Sequence, residues 1–173
     1  MPRTRAPAPA RARGRARPKA DAAMHVLRKL RLVFNTVKSH FREVEKKTGV
    51  AGAQVWAMAV VRDQPGIGVN ELARSMDVHQ STASNLLKPL IEGGMVVAER
   101  AQSDRRALRL RVTARGLAVL KKAPAPESGL LPSALAKLDL ETLARLDEDL
   151  DGLIALIHPD KRAAKMPIGH PDQ

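Results

Sequence analysis

The sequence predicts a mainly α-helical protein with one small antiparallel β-hairpin. Three observations predict it. Apolar residues recur at spacings of three and four near both ends of the chain, two short β-prone runs alternate apolar with charged residues in its middle, and glycines and prolines punctuate the segments between.

Charge and composition narrow what such a chain can do. Its 173 residues suffice for one domain with helical extensions, and 30 Lys plus Arg against 18 Asp plus Glu leave a net charge of +12, which makes a polyanion the leading partner class. The surplus is uneven: residues 1–20 are strongly basic and residues 123–173 are net acidic, so the polyanion surface belongs to the first two thirds. The absence of cysteine excludes thiolate metal sites and cysteine oxidation and points to a reducing compartment. No window is apolar enough to span a bilayer and no apolar core follows the N-terminal cations, so a cytoplasmic protein without membrane association is expected.

Residues 1–20, MPRTRAPAPARARGRARPKA, form a low-complexity arm that cannot bury enough surface to fold alone; it is expected to be disordered. Its Arg13-Gly14-Arg15 is a weak match to a minor-groove hook, and the arm reads first as a nonspecific polyelectrolyte. From Met24 the pattern changes. Leu27, Leu30, Phe34, Val37, Phe41 and Val44 make one apolar stripe, predicting a helix over 24–49 that ends at Gly49. A second helix is predicted over 53–63, stopping before Pro65-Gly66.

Three segments then follow in a familiar rhythm. Residues 69–76 read as a short helix, Asp77-Val78-His79 as a tight turn, and residues 80–94 as a longer helix closed by two glycines, with Pro89 inside it and His79 in place of the usual Ser or Asp cap. Residues 95–100 and 107–112 pair as a hairpin. In its second strand Leu108, Leu110 and Val112 are expected on the core face, with Arg109 and Arg111 opposite. Thr113 caps a helix to about Lys122, and Ala-Pro-Ala-Pro breaks it. Asp139 caps the last helix, whose stripe is Leu143, Leu146, Leu150, Leu153 and Ile157; residues 158–173 are expected to form a loose tail.

Helix, turn, helix and a hairpin with a cationic tip describe a winged helix-turn-helix. These segments resemble the MarR family of transcriptional regulators. The resemblance rests on Glu71-Leu72-Ala73, Ser81-Thr82-Ala83-Ser84, Leu90 and Gly94, on the Asp104-Arg105-Arg106 tip, and on the strand ending in Val112-Thr113 with Gly116 after it. It implies a winged-helix region over 52–122 and a dimerisation bundle built from helices at 24–49 and 133–157. It further implies a homodimer on a pseudo-palindromic site in double-stranded DNA, most simply a repressor, released by a small-molecule effector bound where bundle and DNA-binding lobe meet.

On this reading Gln80, Ser81, Thr82, Ser84, Asn85 and Lys88 enter the major groove, their short polar side chains offering donors and acceptors to base edges. Arg105 and Arg106 reach the minor groove or phosphates with Asp104 orienting a guanidinium, and Arg109 and Arg111 serve either phosphate contact or solubility. Leu27, Leu30, Phe34, Leu143, Leu146, Leu150, Leu153 and Ile157 are the dimerisation candidates. Trp56, Phe34 and Phe41, the only aromatics, are expected in core rather than around a ligand. The five histidines are scattered without ligand spacing and no catalytic constellation stands out, so no metal, no cofactor and no enzyme activity are expected. The rival reading is a nonspecific architectural protein that coats DNA through arm and wing.

Overall fold

The computed structural model describes residues 16–100, 108–158, 160 and 164–167, and the chain divides into two compact units, residues 1–36 and 37–173. Helix α1 (Ala16–Thr48) starts well before Met24. Residues 16–20, expected in the disordered arm, are therefore helical, because alanine and lysine favour helix and Pro18 falls in the first turn, where its missing N–H has no partner to lose. Within the first unit Phe34 is 63% exposed, against the expectation of core: a lone helix has no second layer to bury it. In the second unit α1 buries Val37, His40 and Val44 and ends at Gly49, φ +71°, where the Thr48 hydroxyl donates to Val44 O at 2.7 Å.

The second unit is organised around α2 (Gly52–Asp63), whose Val55, Ala57, Met58 and Val61 are inaccessible to solvent. Helices α3 (Val69–Ser75) and α4 (Gln80–Glu92) pack on it through Leu72, Leu86 and Leu90, joined by a turn in which Asp77 adopts φ 51°. Asp and Asn tolerate this left-handed backbone better than other side chains. The α4 helix runs through Pro89 to Glu92, and Gly94 at φ +65° reverses the chain into β1 (Val96–Arg100).

Strand β2 (Leu108–Val112) pairs antiparallel with β1, Val96 opposite Val112 and Arg100 opposite Leu108. Its other edge is also occupied: Gly66 N donates to Leu110 O at 2.9 Å and Leu110 N to Ile67 O at 3.0 Å. Leu110 is thereby fixed in the core, but Leu108 is 46% exposed, contrary to the alternation. It stands at the outer end of the ladder, opposite Arg100, where the helices beneath offer no further apolar layer.

Helix α5 (Ala114–Leu120) starts on Thr113, whose hydroxyl oxygen accepts from Gly116 N at 3.1 Å and whose O–H donates to Gly94 O at 2.7 Å. After the proline break, Glu127 is held by Arg62 at 2.8 Å, and a short helix α6 (Leu130–Leu135) precedes α7 (Leu140–Ile157). Asp139 caps α7 as expected, its carboxylate accepting from Thr142 N at 2.8 Å. None of the α7 residues is buried. Of the segment expected to be a loose tail, residues 164–167 lie beside the α3–α4 turn within the second unit, with Lys165 paired to Asp77.

Candidate nucleic-acid interface

Helix α4 has two faces because apolar and short polar residues alternate at helical spacing. Ala83, Leu86, Leu87 and Leu90 are buried; Gln80, Ser81, Ser84, Asn85 and Lys88 are exposed and Thr82 is half-buried. None of these five side chains is engaged in a hydrogen bond with another described residue. Their donors and acceptors are thus available along the first turns of a helix whose opposite side is anchored in the core. His79 caps this helix without a side-chain bond, leaving its first N–H groups free. Pro89 has no N–H to return to the Asn85 carbonyl one turn back, so that oxygen lacks its usual helical partner, while the helix itself continues to Glu92.

Beside α4 lies an open cleft of about 390 Å³, lined by Asn70, Glu71, Arg74, Gln80, Leu108 and Arg109. Here one sequence-predicted contact is committed to the protein itself. Arg109 Nη1 donates to Gly66 O at 2.9 Å and lies 3.9 Å from Glu71, whose Oε2 in turn accepts from Gly68 N at 2.8 Å. The strand, the loop before α3 and the first turn of α3 are tied by that one guanidinium, so Arg109 braces the hairpin more than it projects from it. Arg111 sits 3.7 Å from Glu99 on the solvent face of the same hairpin. A solvated pair of this kind is weak and can exchange for a phosphate. Asp104, Arg105 and Arg106, the expected wing tip, lie outside the described residues.

The dimerisation candidates are on apolar faces that the chain leaves open: Leu27 and Phe34 are exposed in the first unit, and Leu146, Leu150, Leu153 and Ile157 in the second, while Leu30 and Leu143 are half-buried. Trp56 and Phe41, expected in core, are half-buried and line a cavity instead. Among the described residues no cluster of histidines and carboxylates could hold a metal ion, and no helix is long and apolar enough to cross a membrane. Sequence reasoning missed the Glu71–Arg109 brace and the Asp77–Lys165 pair. Arg109 was legible as solvent-facing, but partners 38 and 43 positions upstream carry no local signal.

Residues 48–107 match a model of the MarR family. A Thauera aromatica protein assigned as a transcriptional regulator for the hcr operon is 27% identical over 117 residues, 67% of this chain; the match spans 66% of that relative's length. Among solved structures, Streptococcus pneumoniae FabT in complex with DNA superposes with a TM-score of 0.52 at 17% identity, covering 79% of this chain and 97% of that one. The S. aureus MepR–DNA complex superposes with a TM-score of 0.52 at 15% identity, covering 74% and 94%. At such identities these likenesses speak for the winged-helix fold.

Proposed function

We propose that the chain is a transcriptional regulator of the MarR type, a reading supported by the match of residues 48–107 to that family's model, and that it acts as a ligand-responsive repressor, two copies binding a pseudo-palindromic operator. The observation that carries this is the exposed, unengaged polar face of α4, with Gln80, Ser81, Ser84, Asn85 and Lys88 presented from a helix whose other side is buried. Such a face matches what the major groove requires: side chains short enough to enter and able to both donate and accept. Thr82 supports the first turn from its edge. Arg105, Arg106 and Arg111 neutralise flanking phosphates, with Asp104 orienting the tip, and the basic arm adds affinity that falls with salt.

The dimer is supported by the apolar faces of α1 and α7, since stripes of that size on a single chain call for a covering partner. A two-fold pair would set the two α4 helices about one helical turn, roughly 34 Å, apart, and the operator would share that symmetry. An effector that favours another spacing would release the DNA, in proportion to its preference for that state. The family is one of regulators, and the chain is assigned no catalytic step.

The deciding experiment is footprinting of the full chain, and of a form lacking residues 1–20, on its own upstream DNA and on shuffled controls near physiological salt. A protected near-palindrome that survives removal of the arm supports the repressor. Equal binding to shuffled DNA, lost with the arm, would replace it by the architectural reading.

A further inference from the structure

A cavity of about 350 Å³ opens inside the second unit, between α1, α2, the α3–α4 turn, α6 and residues 164–167. Phe41, Trp56, Val78, Leu131 and Met166 supply its apolar walls, and Asp77 and Ser128 its polar groups. The described lining contains no cation. Lys165, the nearest in sequence, is paired with Asp77. An anion entering this space would lose its water, face the Asp77 carboxylate and have to compete with that carboxylate for the Lys165 ammonium, a combination that disfavours the charged form. An uncharged apolar molecule loses nothing of the kind, and the volume is in the range that small ligands use.

Two facts single out the C-terminal wall. It is loosely attached: Met166 is 61% exposed, and the pair that fastens it has its Asp77 side chain 82% accessible, so the link is a solvated one that breaks and re-forms easily. The second fact is where the fastening lies. Asp77 is the left-handed residue of the turn between α3 and α4, two positions before the cap of α4 at His79, and Met76 and Val78 on either side of it also line the cavity.

We propose that residues 164–167 form a gate over this cavity, latched by Lys165 on Asp77, and that the cavity takes a compact, uncharged apolar molecule. Opening the gate breaks a contact on the turn that aims the recognition helix, so occupancy and DNA affinity share one side chain. The inference rests on the chain being effector-responsive and adds to it the ligand class and the moving part.

The test uses the full chain, with its single tryptophan, Trp56, as reporter. Adamantan-1-ol and adamantane-1-carboxylate are nearly the same shape and differ in charge. The alcohol is expected to saturate a shift in Trp56 emission at concentrations about tenfold or more below the carboxylate. Lys165→Ala is expected to speed release of the alcohol by up to about fivefold, the most a surface ion pair supplies. No saturable response to the alcohol, or equal affinity for the carboxylate, would overturn the ligand class. Unchanged release from Lys165→Ala would overturn the gate. Operator binding followed in the same samples separates the parent reading: a filled cavity with the DNA complex intact keeps the site and its gate and removes effector control.

Discussion

Gly116→Ala sets two physical effects against each other, and their sizes decide the sign. Gly116 lies in the first turn of α5, and helix propensity alone makes alanine there about 1 kcal/mol more stable than glycine. The structure says otherwise. A Cβ at this position would stand 2.3 Å from the carbonyl oxygen of Met95 and 2.6 Å from Val112 Cγ1, where ordinary contact begins at 3.4 Å. Relieving the overlap means moving α5 away from the start of the hairpin by about 1 Å, and overpacking of this kind costs about 1–3 kcal/mol. The carbonyl is not free to move alone, because it accepts from Thr113 N at 3.0 Å. Weakening that bond adds about 1 kcal/mol.

Against the propensity gain, a net loss of about 1–3 kcal/mol is expected. Urea unfolding monitored by circular dichroism reads it as a lowered midpoint at unchanged slope. Ala118→Gly on the exposed side of the same helix is the control and should lose only about 1 kcal/mol, the propensity difference. A Gly116→Ala protein as stable as the parent would refute the reasoning, since it would mean that α5 is not seated on the Met95 carbonyl.

Other outcomes follow from the same geometry. Asn85→Ala should weaken operator binding by about 1–3 kcal/mol while leaving the salt dependence unchanged, because a base contact carries no counterion release; titration at several salt concentrations would expose a phosphate contact instead. Leu150→Asp, on the exposed apolar face of α7, should shift the protein to a monomer in sedimentation without lowering the unfolding midpoint of the second unit; an unchanged mass would rule out that face as the dimer contact. Arg109→Ala should increase amide exchange at Gly66 and Leu110, the ends of the strap it braces, and protection equal to that of the parent would show the guanidinium to be idle. Acid should destabilise the fold in a defined window. The Asp139 carboxyl is held below its usual value by the Thr142 amide and hydroxyl, and Asp63 by its bond from Arg62. Because both are depressed in the folded state, their contribution is full above their unfolded value of about 4 and disappears as pH falls below it. Thermal midpoints across that range should fall less steeply for Asp139→Asn, and an identical slope would mean that the cap does not titrate as proposed.

The amino-acid sequence by itself determined the elements and their caps, because these depend on neighbours within about one helical turn. Thr113 and Asp139 were legible as caps, Asp77-Val78-His79 as the turn, the hairpin from its alternation, and the polar face of α4 from its spacing. Only the tertiary structure decided what those surfaces face. Leu108 follows the same alternation as Leu110, yet one is exposed and the other buried, because the helices beneath reach only one of them. Phe41 and Trp56 read as core and turned out to border a cavity, while Arg109 read as a projecting cation and is tied to Gly66. Lys165, in a segment that reads as a loose tail, closes on Asp77. Each of these depends on residues far apart in the chain meeting through the packing of others, and local composition carries no record of such a meeting.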